Sequence, residues 1–85
     1  MTEDELTKTI LALVSRIAPE VDPATIEHDE PLQRALDIDS YDFLNLLVAV
    51  RDELGVTVDE SDYDKVSTIA DMVGFVLSRL VQNRS

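Results

Sequence analysis

Three runs of apolar residues at three- and four-residue spacing, in a chain of 85 residues, restrict this sequence to a small helical fold. The first run is Leu6, Ile10, Leu13, Val14 and Ile17. Ahead of it Thr2 and Glu5 spell a capping box, with Thr2 at the N-cap and Glu5 three residues in, and Pro19 stops the helix near Ala18. The second run spans Ser40 to Leu54. Its buried stripe is read as Leu44, Leu47, Val48 and Leu54, widened by Tyr41, Phe43, Leu46 and Val50, and Gly55 stands where a left-handed C-cap residue belongs. The third run is Ile69, Met72, Val73, Val76, Leu77 and Leu80. Ser67 or Thr68 caps it, and Arg79 and Arg84 lie near its end, where cations suit the helix dipole.

Between Pro19 and Asp39 the periodicity weakens. Asp22-Pro23 can open one helical turn, with Asp22 as the cap and Pro23 at the first position, and Leu32, Ala35, Leu36 and Ile38 are apolar anchors to the core. A structureless loop of this length is uncommon in a compact domain, so the segment is expected to be partly helical or functional. Val56-Thr57-Val58 alternates like a strand but is too short to build a sheet, and Asp59 to Lys65 is expected to hold a short third helix. The fold class expected is therefore all-α: a bundle of three main helices and one short helix, with a long loop between helix one and helix two, residues 1–85 forming a single domain.

With no cysteine, the chain has no disulfide, no thiolate metal site and no cysteine nucleophile. Its 18 acids against 7 bases give a net charge of −11. Such a surface repels nucleic acid and anionic lipid, and it attracts basic protein surfaces in a salt-dependent way; the plainer reading is that it keeps a small domain soluble. No stretch approaches the length of a membrane span, and Met1 to Glu5 is acidic where a secretory signal is basic. A cytoplasmic monomer, bound to neither nucleic acid nor membrane, is expected.

One place invites chemistry: Asp37-Ile38-Asp39-Ser40-Tyr41-Asp42, a serine at the start of the second long helix and the end of a long loop. A helix start presents free N–H groups and a partial positive charge, so a phosphate ester on that hydroxyl is favoured there. The plain alternative is that Ser40 or Asp39 only caps the helix. A nucleophilic role needs a general base within reach; the sole histidine, His28, lies in the loop, and no glycine-rich elbow surrounds Ser40, so no catalytic residue is assigned. No metal site is assigned either. A calcium loop begun at Asp37 puts Asp42 where glycine is required and Val48 where a glutamate is required; one begun at Asp59 puts Asp64 and Ala70 there. Tyr41 and Tyr63 are expected half-buried with wet hydroxyls, and Asp59 to Asp64 reads as a solvated face.

Here the sequence resembles the acyl carrier protein family, whose signature is a leucine, a glycine, any residue, then Asp-Ser-Leu-Asp opening the second helix. This chain has Leu36-Asp37-Ile38-Asp39-Ser40-Tyr41-Asp42. The likeness continues without a gap through Leu44, Leu47, Ala49, Asp52, Glu53 and Leu54-Gly55-Val56, then Asp62, Asp64 to Ile69 and Asp71. It departs at Asp37, where glycine is common, and at Tyr41, where leucine is usual. Asn45 and Arg51 stand where carriers of fatty acid synthesis have acids, Asp59 where proline is frequent, and Tyr63 where a small residue is.

The resemblance implies a carrier without catalysis of its own. Ser40 is then the attachment point of a 4'-phosphopantetheine arm, transferred from coenzyme A by a phosphopantetheinyl transferase, and acyl intermediates of fatty acid, lipid or specialised-metabolite synthesis ride on the arm as thioesters. Asp39 and Asp42 help to bind the transferase, and with Asp52 and Glu53 they form the partner-binding set, facing acyl-loading ligases or synthases with basic docking surfaces. The departures point to a specialised carrier serving a dedicated synthase or ligase. Two alternatives are an aminoacyl or peptidyl carrier, whose usual glycines before the serine are missing here, and an acidic helical interaction module that bears no arm.

Overall fold

The capping box forms as its sequence requires. In the computed structural model, which describes residues 2–82 (without the side chain of Gln82), the Glu5 N–H donates to Thr2 Oγ1 at 3.1 Å and the Thr2 N–H donates to Glu5 Oε1 at 3.1 Å. This pair starts helix α1, Glu3–Ile17, and Ala18 closes it with an N–H bond to the Val14 carbonyl at 2.9 Å. Leu6, Ile10, Leu13 and Val14 are buried and Ile17 is half-buried, so the predicted stripe is the buried one. Met1 and Arg84, both used in the sequence reading, lie outside the described residues.

The long connection is largely ordered into short pieces. Asp22 caps a single 3₁₀ turn, Pro23–Thr25, its carboxylate accepting the Ala24 N–H at 3.0 Å. One turn of α-helix, α2, covers Leu32–Ala35, where the sequence periodicity had marked only anchors. Leu32 and Leu36 are fully buried; Ala35 and Ile38 are half-buried against the core. Helix α3, Ser40–Leu54, ends at Gly55, whose φ of 73° is the left-handed C-cap that its position suggested. Val56 and Val58 then bury while Thr57 faces out, an alternation that pairs with no strand among the described residues. A second 3₁₀ segment, Glu60–Val66, stands where the short third helix was expected. Val66 anchors it in the core. Asp62 holds it from outside, in ion pairs with Lys65 at 3.1 Å and Arg79 at 3.6 Å. Helix α4, Ile69–Gln82, follows a cap made by Thr68 rather than Ser67: the Asp71 N–H donates to Thr68 Oγ1 at 3.0 Å. Three long helices around one core therefore match the expected all-α bundle, with two 3₁₀ segments and α2 as the short pieces.

Helix α3 corrects the sequence reading. Phe43, Leu46, Leu47 and Val50 are buried, while Leu44 and Val48 are 38% and 43% exposed and Tyr41 is 71% exposed. Tyr41 is thus a surface residue and not half-buried; Tyr63 is half-buried as expected. The reason lies in the pattern itself. Positions 43, 46, 47, 50 and 54 satisfy the helical period, and so do 44, 47, 48 and 54, because α3 is apolar over most of its circumference. Packing against α1 and α2 selects the first set.

Two predictions follow from these contacts. Leu47→Ala removes a buried side chain and should cost about 2–5 kcal/mol, whereas Leu44→Ala should stay within about 0.5 kcal/mol; urea midpoints of the two variants measure the difference, and equal losses would put the buried face elsewhere. The second concerns Glu5, whose pKa is lowered, first by the Thr2 backbone N–H and then by the Thr2 hydroxyl. A carboxylate with a lowered folded pKa contributes stability above its unfolded pKa and loses it as pH falls through the folded value. The stability gap between wild type and Glu5→Ala should therefore narrow in acid, below the ordinary carboxylate range. A gap independent of pH would show that the charge of Glu5 plays no part in the cap.

Candidate functional site

Ser40 is positioned by a chain of backbone interactions that begins at α2. The Leu32 N–H donates to the Ser67 carbonyl at 2.7 Å, and the Ala70 N–H donates to the His28 carbonyl at 2.9 Å. These bonds fasten the connecting segment to the entry of α4, while Leu32 and Leu36 sink into the core. Helix α2 then closes with two crossed bonds: Ile38 N–H to the Gln33 carbonyl at 3.1 Å and Asp37 N–H to the Arg34 carbonyl at 3.3 Å. This is a Schellman turn, which needs its residue after the C-cap in the left-handed region. Asp37 occupies that position with φ 53°. A glycine is the unstrained residue there, since it has no Cβ to clash; aspartate is among the few others that tolerate it.

One residue after the turn, the next helix begins. Asp39 is in the extended region, its carboxylate accepts the Asp42 N–H at 2.9 Å, and its carbonyl accepts the Phe43 N–H at 3.1 Å. The cap therefore belongs to Asp39. Ser40, the first residue of α3, is exposed and outside the capping bond. Its hydroxyl is accessible at the positive end of a 15-residue helix. Asp37 and Asp39 are exposed and Asp42 is half-buried, so three carboxylates surround the helix start. Among the described residues no three acid or histidine side chains converge as a metal site.

The other two predicted partner-binding residues are not part of this cluster. Asp52 and Glu53 are exposed at the far end of α3, about 18–20 Å along the axis from Ser40 at 1.5 Å per residue. Asp52 is paired there with Arg51 at 3.4 Å. Between the two ends, Tyr41, Leu44 and Val48 make an exposed apolar strip.

Ser40 also lies on the rim of a groove of about 480 Å³. Pro31, Phe43, Leu44 and Tyr63 supply its apolar walls, and Gln33, Arg34, Asp64 and Ser67 its polar edge. Pro31, Gln33 and Arg34 carried no signal in the sequence. The groove joins residues 31–34 to residues 63–67, segments brought together by the Leu32–Ser67 bond, and no local pattern encodes that approach.

Residues 8–76 match the family model described as a phosphopantetheine attachment site. An acyl carrier protein of Thermotoga maritima is 33% identical over 60 residues, covering 71% of this chain and 74% of its own length. One of Lactobacillus johnsonii is 31% identical over 78 residues, 92% of this chain and 96% of its own.

The chain belongs to the acyl carrier protein family.

Acyl carrier proteins hold a covalently attached 4'-phosphopantetheine, and the residues present here suit that group: an exposed hydroxyl outside the cap, at a helix start, opening on a groove with apolar walls. The fold also explains the family's glycine three residues before the serine, since it is the left-handed position of the Schellman turn. In this acyl carrier protein Asp37 fills that position under strain. Asp37→Gly should be more stable than Asp37→Ala by about 1 kcal/mol, because alanine meets the full left-handed penalty. Thermal or urea denaturation measures the difference, and equal stability would mean that residue 37 is not held at positive φ in solution.

Proposed function

We propose that the whole chain, residues 1–85, acts as one carrier domain whose 4'-phosphopantetheine arm is attached to Ser40 and bears acyl cargo as a thioester. The supporting observation is the division of labour at the start of α3: Asp39 makes the cap, and the Ser40 hydroxyl is exposed beside it. A residue serving only as the cap cannot be esterified without loss of a helix bond; Ser40 can. When bound, the arm supplies a thiol that forms thioesters and carries them from one enzyme to the next.

The residues of the chain do the remainder. The N–H groups opening α3 favour the phosphate at Ser40, and Asp39 and Asp42 meet the basic surface of the phosphopantetheinyl transferase. Asp52 and Glu53 extend the acidic face toward acyl-loading ligases or synthases. Exposed ion pairs each contribute little, about 0–1 kcal/mol, which suits docking that must be brief. The tether raises the concentration of cargo seen by a docked enzyme. The chain itself supplies no catalysis in this scheme, and its place is the cytoplasm. Among the described residues no helix is long and apolar enough to cross a membrane.

We read the carrier as a specialised one. Asn45 and Arg51 break the run of acids on α3, and Arg34 adds a cation on α2, so the surface offered to partners is less uniformly negative than the net charge of −11 suggests. A dedicated synthase or ligase fits this surface better than a broad set of housekeeping enzymes.

Incubation with coenzyme A and a broad-specificity phosphopantetheinyl transferase should add one phosphopantetheine mass to the intact chain, and none to Ser40→Ala. An unchanged mass of the native chain would leave an acidic interaction module as the reading.

A further inference from the structure

Among the described residues Arg34 is the one cation that lines the groove shared with Ser40. The ion pairs found among the described residues engage Arg51, Lys65 and Arg79, and Arg34 is in none of them, nor is Asp64, the acid on the same groove. Its backbone is fixed by the Schellman turn: the Arg34 carbonyl accepts the Asp37 N–H at 3.3 Å, three residues ahead of the Ser40 position. The side chain is exposed and so free to reach into the groove. Around Ser40 the charge is otherwise negative, from Asp37, Asp39 and Asp42, and only the partial charge of the α3 N-terminus opposes it. A phosphodiester on Ser40 adds a further unit of negative charge at a place fixed by its covalent bond.

We propose that Arg34 is the counterion of this phosphodiester and directs the arm into the groove over Phe43 and Tyr63. The inference rests on the carrier reading above and adds a specific positioning residue to it. The chemistry suits arginine better than lysine: a guanidinium presents two parallel N–H groups to two phosphate oxygens, and it is weakly hydrated. The same fork would accept a carboxylate, so cargo with a free terminal carboxylate is the competing anion.

The test compares the full chain in four states by NMR: without the arm, with the arm as free thiol, and with the arm bearing butyryl or succinyl. Intact mass establishes each state. In wild type the Arg34 Nε–H resonance should shift on addition of the free-thiol arm, and its exchange with water should slow several-fold; the phosphorus resonance of the arm should differ between wild type and Arg34→Gln. Butyryl and succinyl should add little to the shift. Arg34→Lys should restore only part of the phosphorus shift. If the mass shows the arm on Ser40 but the Arg34 signal does not move, the inference fails and the carrier reading stands. If it moves only with succinyl, the anion is the cargo's carboxylate and the phosphate assignment is overturned. If no mass is added, the carrier reading itself fails.

Discussion

A 2.7 Å hydrogen bond from the Leu32 N–H to the Ser67 carbonyl, with Leu32 fully buried beside it, holds the long connection between α1 and α3 against the entry of α4. Without a fixed α2 there is no Schellman turn at Asp37, and without that turn the direction of α3 and the exposure of Ser40 are not set. The same bond brings residues 31–34 beside residues 63–67 and so makes the groove. A peptide N–H buried away from water must find an acceptor, and one backbone pair here meets that need for two segments at once. The site is thus a consequence of loop anchoring more than of the three-helix bundle itself.

Charge around this site is arranged in layers. The N-terminus of α3 favours an anion, yet the sequence surrounds it with Asp37, Asp39 and Asp42. The Asp39 carboxylate also accepts the Asp42 N–H and so completes the helix start. In the proposed carrier Asp39 and Asp42 present their charge to a partner. Their field is local: at physiological salt it is screened over about 8 Å. In the proposed carrier the pair Asp52 and Glu53, farther away than that along α3, forms a separate contact, and the neighbouring Arg51 weakens it through its 3.4 Å pairing with Asp52.

How much of this was legible depended on whether a feature is local. The capping box at Thr2 and Glu5, the Gly55 terminus and the Asp22-Pro23 turn are all decided within four residues, and each formed as read. The place of Ser40 at the start of α3 was legible for the same reason, since the Asp-Ser step and the following helix are contiguous. The buried face of α3 was not. Leu44, Leu46, Leu47, Val48 and Val50 are all apolar, so two stripes fit the period, and only the neighbouring helices choose between them. Helix α2 is a single turn, too short for any periodicity, and it exists because Leu32 and Leu36 bury and the turn after it closes. The groove and Arg34's place on it depend on contacts some thirty residues apart in the chain and left no trace in the sequence pattern.

The stability of the fold and the chemistry of the site rest on different atoms. The core is built from Leu6, Ile10, Leu46, Val50, Ile69 and Met72, all fully buried, and no described buried polar side-chain atom lacks a hydrogen-bond partner. Ser40 contributes to neither account. It is exposed, it lies outside the cap, and its position is held by the main chain of its neighbours. A group added to or removed from its oxygen changes no core contact and breaks no helix bond. Such decoupling suits the proposed attachment of an arm at Ser40, because a fold held by only some 5–15 kcal/mol cannot let a covalent step draw on the interactions that keep it together.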